Sequence, residues 1–258
     1  METRINKFFV VSDLHGSLKA YEYAKGIAKN SPLYILGDIF DGNNSRPEEC
    51  LEILEKIKND NNVFLLLGNH EYAHIAYWNN VFNGDEEAAN AWEGYLCDPI
   101  CQGGPLLSLL KKKSEEDVAS IVKYLSFCPA IHSVQMGQMH FVMVHGSPHP
   151  SVWDSLSCQL DECALENALS FLRSTGVSTT EDRVRVITGH IPTKYIVPPT
   201  EDKYERMALF GNCYDIDCGC RANTLGKLIK GWKSNVGVLE IGSYDGYSVY
   251  FKDHYMFA

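Results

Sequence analysis

Several things are scarce or missing in this chain of 258 residues, and each absence narrows what it can do. Basic charge is scarce: 23 Lys and Arg face 33 Asp and Glu, a formal net charge of −10. A surface of that sign excludes broad electrostatic binding to nucleic acid or to anionic membrane. It leaves room for a small anionic substrate, because bound cations can create a local positive site. Long hydrophobic runs are missing. The apolar stretch Phe8 to Val11 near the N-terminus is too short for a signal peptide or a membrane span. The nine cysteines include no C-x-x-C pair, and Cys97/Cys101, Cys158/Cys163 and Cys218/Cys220 lack zinc-finger spacing. Reduced thiols in a cytoplasmic protein are the expectation. Repeats, low-complexity tracts and flexible linkers are absent too.

What is present is enough apolar material, 45% of residues, to fill the core of one α/β domain over residues 1–258. Residues 8–67 alternate strand, helix, strand, helix, strand, with helices from Leu18 to Lys29 and from Pro47 to Lys58. Pro47 suits a first helical position, and Glu48 and Glu49 suit the positive end of the helix. Such alternation implies a mostly parallel sheet, with ligands gathered beyond the strand C-terminal ends. The pattern then changes. Helical periodicity around Ala88–Leu96, Leu106–Lys111 and Val118–Leu125 predicts a helical cap or insertion over about 72–128. After Pro129 a hairpin (Ile131 to Val144), a helix (Leu160 to Leu172), strands at Val184–Thr188 and Cys213–Asp217, and a hairpin over Val236 to Phe251 read as mainly antiparallel.

Five short segments close on metal-ligating residue types: Ser12-Asp13-Leu14-His15-Gly16, Gly37-Asp38-Ile39-Phe40-Asp41, Gly68-Asn69-His70-Glu71, Val144-His145-Gly146 and Thr188-Gly189-His190. Each follows an apolar run that reads as a strand. Asp13, His15, Asp38, Asn69, His145 and His190 form a mixed carboxylate, amide and imidazole set, suited to Mn, Fe or Zn better than to Ca or Mg. Six ligands are too many for one catalytic ion that keeps an open position. Two ions about 3.5–4 Å apart, bridged by one carboxylate, account for them.

The ordered series Asp-x-His-Gly, Gly-Asp-x-x-Asp, Gly-Asn-His-Glu, His-Gly and Gly-His resembles the calcineurin-like metallophosphoesterases. It is most similar to the phosphoprotein phosphatase family in its bacterial and phage branch. The resemblance implies a sandwich of two mixed sheets flanked by helices. It implies Asp13 and His15 on one ion, Asp38 as bridge, and Asn69, His145 and His190 on the second. His70 matches the general acid and Asp41 the carboxylate that orients it. The implied cofactor is a pair of divalent ions, Mn2+ first, with Fe or Zn as alternatives. The implied reaction is in-line attack of metal-bound hydroxide on phosphorus.

The chain also departs from the family. Gly42 stands where the family carries a phosphate-gripping arginine after Asp41, and Leu67 stands where a basic residue often precedes Gly-Asn-His-Glu. Arg46, Arg221 and His149 are the candidate substrate contacts. His74 reads as a core or surface histidine. The expected activity is phosphomonoester hydrolysis on phosphoserine or phosphothreonine in a protein partner. The alternatives are a nucleotide hydrolase such as a symmetrical diadenosine tetraphosphatase or a phosphodiesterase, and a non-catalytic scaffold of the same fold.

Overall fold

The computed structural model describes residues 6–42, 45–99, 101–146, 183–195, 204–220, 235–244 and 248–257. The helix expected over Leu160–Leu172, and the candidates His149 and Arg221, lie outside the described residues.

The first sheet begins with β1 (Lys7–Val11), α1 (Leu18–Ala28), β2 (Leu33–Ile35), α2 (Pro47–Lys58) and β3 (Val63–Leu65). Ser17 caps α1 by accepting the Ala20 N–H, and Pro47 opens α2. β1 pairs parallel with β2, and β2 with β3. Four helices follow in the chain: α3 (Asn69–Asn83), α4 (Glu86–Leu96), α5 (Gly104–Leu110) and α6 (Glu115–Ser126). The second sheet takes β4 (Ile131–Met136), β5 (Met139–Val144), β6 (Val184–Thr188), β7 (Ala208–Phe210) and β8 (Cys213–Asp215) in the order β4-β5-β6-β8-β7. The chain then returns to the first sheet with β9 (Asn235–Ser243) and β10 (Val249–Phe257), giving β10-β9-β1-β2-β3.

The mainly antiparallel second half is borne out, with two parallel pairs inside the second sheet. β5–β6 and β6–β8 are parallel; only β4–β5 and β7–β8 are antiparallel in that sheet. The reason is connection length: the long segment between Val144 and Val184 is ample for a crossover, whereas a tight hairpin would force the antiparallel sense. β9 and β10 are indeed a hairpin, but they extend the first sheet through β1.

Alternation along β1 builds the sandwich. Phe8 and Val10 face the second sheet and pack with Tyr34, Leu36, Phe141, Met143 and Ile187. Phe9 and Val11 face the other way, into a core shared with α1, α2, α3, α5 and α6. The helices between β3 and β4 therefore complete the outer helical layer of the first sheet. Because β1, β2 and β3 run parallel, as do β5 and β6, the loops after them emerge where the two sheets meet.

Candidate active site

Backbone conformation already marks this edge. Among the described residues, Asp13, His15, Asp38, Asp41 and His190 all have left-handed φ, at 56°, 45°, 52°, 55° and 74°. For residues with a β-carbon that conformation is uncommon and costs on the order of 1–3 kcal/mol each, and it persists where the surroundings impose it. Here the loops impose it on one another. His15 N–H donates to Asp38 O (2.8 Å) and Gly16 N–H to Ile39 O (2.7 Å), so the loops after β1 and β2 run side by side. Gly189 N–H donates to His145 O (2.8 Å) and joins the loops after β5 and β6. Two further bonds cross from sheet to sheet: His190 N–H to Asp13 Oδ2 (2.9 Å), and His145 Nδ1–H to Leu36 O (2.7 Å). Two glycines are required for closeness. A β-carbon on Gly68 would collide with Asp38 Oδ1, and one on Gly189 with Ser12 Oγ and Asp13 Oδ2.

The first cluster centres on His145. Its Nδ1 is committed to Leu36 O. Its Nε2 lies 3.2 Å from Asp38 Oδ2, 3.0 Å from Asn69 Oδ1 and 3.1 Å from His190 Nδ1. Asn69 Nδ2 donates to Tyr95 Oη (3.4 Å), which turns its oxygen toward this point. Four atoms able to ligate a cation thus converge at one point. Burial would lower the His145 pKa, but the Asp38 and Asp13 carboxylates push it up to about 9. His190, lowered to about 4 by burial and by His145 beside it, keeps its lone pair free at neutral pH. These donors fit a divalent ion of the borderline type.

The second cluster is His15, Asp38 and His70, with ligating atoms within 4.8 Å of one another. His15 Nδ1–H donates to Phe40 O (3.1 Å), leaving Nε2 to face Asp13 Oδ1 at 3.8 Å. Asp13 Oδ2 is occupied by the Ser12 hydroxyl and the His190 N–H. Asp38 belongs to both clusters. Its Oδ1 accepts the His70 N–H (3.2 Å) at the positive end of α3, and its Oδ2 faces both groups. Burial would raise the Asp38 carboxyl, but His145 and His70 hold it well below the usual carboxylate range.

The structure thus brings together Asp13, His15, Asp38, Asn69, His70, His145, His190 and, against His70, Asp41. Asp41 Oδ2 is 3.5 Å from His70 Nδ1. Burial pushes Asp41 up, yet His74 and His70 bring it down to about 2. For His70 burial acts downward, while Asp38, Asp41 and Cys101 raise it well above the usual histidine value. Arg46 is less committed. Its backbone lies against Gly16, but its guanidinium is largely exposed and pairs with Glu49 Oε1 at 2.8 Å. Asp215, at the end of β8, and Asp217, just after it, are buried, and Asp217 lies near Asp13. Burial and those neighbouring carboxylates raise Asp217 well above the usual range.

Three contributors escaped the sequence reading. Glu71 is fully buried and accepts three backbone N–H groups, from Asp38 (2.8 Å), Phe40 (3.0 Å) and Gly68 (3.0 Å), tying the β2 loop to α3. His74 is buried, with Nε2 2.9 Å from Asp41 Oδ2. Its i, i+4 spacing from His70 on one helix face was the available signal. Cys101 Sγ sits 3.6 Å from His70 Nδ1; nothing in the sequence links a thiol between α4 and α5 to a histidine on α3.

The family model for calcineurin-like phosphoesterases matches residues 6–216. The chain belongs to that family. A calcineurin-like phosphoesterase is a metal-dependent hydrolase built on a dinuclear site, and the two donor clusters sharing Asp38 suit such a pair. Two solved structures show the same fold. One is a protein serine/threonine phosphatase from Saccharomyces cerevisiae with similarity to human phosphatase PP5. It aligns at 14% identity and a TM-score of 0.54, over 99% of this chain and 81% of that one. The other is a point mutant of a cold-active protein tyrosine phosphatase, at 15% identity and a TM-score of 0.52, over 96% of this chain and 80% of that one. No curated protein matches this phosphoesterase by sequence. Among the described residues no helix is long and apolar enough to cross a membrane, and the cysteines form no disulfide.

Proposed function

We propose that this phosphoesterase is a phosphomonoesterase acting on phosphoserine or phosphothreonine in proteins, in the cytoplasm. The observation that carries the reading is Asp38, one carboxylate facing two donor clusters. Asp13, His15 and Asp38 would hold one divalent ion, and Asn69, His145, His190 and Asp38 the other, with Mn2+ first and Fe or Zn as alternatives. When bound, such a pair supplies an acidified water and positive charge against the phosphoryl oxygens. The protein's own part is proton transfer. His70 Nε2 lies 3.7 Å from the shared Asp38 Oδ2, beside the place the ion pair would take. From there it delivers the proton that the leaving oxygen needs. Asp41, behind Nδ1, fixes the ring and supports its charged form. Residues 1–258 are read as one domain, its 72–128 helical segment reaching the site through Tyr95 and Cys101.

The yeast neighbour, a protein serine/threonine phosphatase, supports the choice of phosphoprotein over nucleotide. The competing reading is a nucleotide hydrolase. Mn-loaded protein offered a phosphothreonine peptide together with diadenosine tetraphosphate separates the two. Inorganic phosphate from the peptide, with the nucleotide intact, is the expected result; nucleoside diphosphate with the peptide untouched would reverse the assignment.

Arg46 is the described candidate for the phosphate grip that Gly42 leaves open, by swinging off Glu49. Arg46→Ala is expected to raise KM about tenfold with kcat little changed, the loss of one charge-assisted hydrogen bond. An unchanged KM would reduce Arg46 to an exposed helix-start ion pair.

A further inference from the structure

Behind the proposed proton donor lies a third convergence of ligand atoms. His70 Nδ1, Asp41 Oδ2 and Cys101 Sγ come from three separate parts of the chain and all three side chains are buried. The separations are 3.5 Å from nitrogen to oxygen and 3.6 Å from nitrogen to sulfur. The first is long for an N–H···O hydrogen bond, which peaks at about 2.9–3.0 Å. Both match the edges of a metal tetrahedron instead. An ion with N and O ligands at about 2.0 Å and a thiolate at about 2.3 Å sets N···O near 3.3 Å and N···S near 3.5 Å. Asp41 is 0% exposed, and its second oxygen, Oδ1, is buried without a hydrogen-bond partner, a cost that a cation held by both carboxylate oxygens would offset. The near oxygen, Oδ2, also lies 2.9 Å from His74 Nε2, an outer hydrogen bond of the kind that holds a ligating carboxylate.

We propose that Cys101, His70 and Asp41 form a third metal site, selective for soft, tetrahedral divalent ions such as Zn2+, whose occupation inhibits the enzyme. The selectivity follows from the thiol, because none of the six candidate ligands of the Asp38-centred clusters is a cysteine. Binding replaces the thiol proton, and any proton on His70 Nδ1, by the metal; both leave to solvent. An ion on Nδ1 displaces the Asp41 contact that orients the His70 ring, so proton donation from Nε2 is impaired, while Asp13, His15, Asp38, Asn69, His145 and His190 are not consumed by it. Only this account of the inhibition rests on the proposed role of His70; the ion site itself does not.

The test titrates Co2+, and in parallel Zn2+, into Mn-loaded protein. A thiolate-to-cobalt charge-transfer band in the near ultraviolet is expected, together with inhibition stronger on alkyl than on activated aryl phosphates. Cys101→Ser should abolish the band and raise the inhibitory Zn2+ concentration about a hundredfold or more, each protein being compared with its own uninhibited rate. Absence of the band in the unmutated protein overturns the proposal, with no dependence on how any variant folds. So does a band that survives Cys101→Ser and disappears in Cys97→Ser, which would place the ion on the exposed thiol. A Cys101-dependent band with equal inhibition of alkyl and aryl substrates upholds the site and overturns the role given to His70.

Discussion

Asp38→Asn is expected to strip both metal ions from the protein and, with them, nearly all turnover. The side chain keeps its shape, and the Asp38 backbone N–H still reaches Glu71 Oε2, so the loop should stay in place. What disappears is the negative charge shared between the two clusters. Near neutral pH the ordinary Asp38 carboxylate is charged, since its pKa is held far below the usual range by His145 and His70 despite burial. An amide at this position leaves His145 and His190 facing an oxygen without charge, too weak to offset the repulsion between two divalent ions. The loss should therefore exceed the ~10–100-fold that follows removal of a residue that merely supports a ligand. Metal content by elemental analysis and turnover on an aryl phosphate are the readouts, with cooperative thermal unfolding as the control for fold. A variant that keeps two ions and near-wild-type turnover would leave Asp38 without a bridging role.

His70→Asn separates chemistry from metal binding. An asparagine nitrogen can keep the contact that His70 Nδ1 makes toward Asp41, but nothing replaces Nε2, the atom 3.7 Å from Asp38 Oδ2. The ions should stay. Turnover should fall by about 10²–10⁴-fold on alkyl phosphates, whose leaving oxygen needs a proton, and much less on nitrophenyl esters, whose leaving group departs without one. Equal slowing of both substrates would mean that His70 acts through the ions or the fold, not by donating a proton.

Much of this was legible in the sequence, for a physical reason. Strand ends carry the candidate ligands, and both strands and such residues have local signatures: the apolar run Phe8 to Val11 followed by Asp13 and His15 places two of the candidates without tertiary knowledge. The same holds for Val184–Thr188 before His190. What local pattern cannot carry is pairing across distance. The parallel sense of β5 and β6 depends on a crossover, not on their residues, and β9 and β10 join the first sheet through contacts with β1. The supporting residues were hidden for the same reason. His74 reads as an ordinary helical histidine until Asp41, thirty-three positions earlier, is brought to 2.9 Å from it. Cys101 reads as a loop thiol until α4 and α5 deliver it to His70. Glu71 was visible as part of Gly-Asn-His-Glu, but its three backbone bonds exist only once β2 and α3 have met.

The central claim is a pair of divalent ions joined through Asp38, and electron paramagnetic resonance of the Mn-loaded protein tests it most directly. Two Mn2+ ions sharing one carboxylate, about 3.5–4 Å apart, should give a spin-coupled spectrum with the narrow hyperfine splitting of a pair, at two ions per chain. A spectrum of isolated Mn2+, saturating at one ion per chain, would contradict the account.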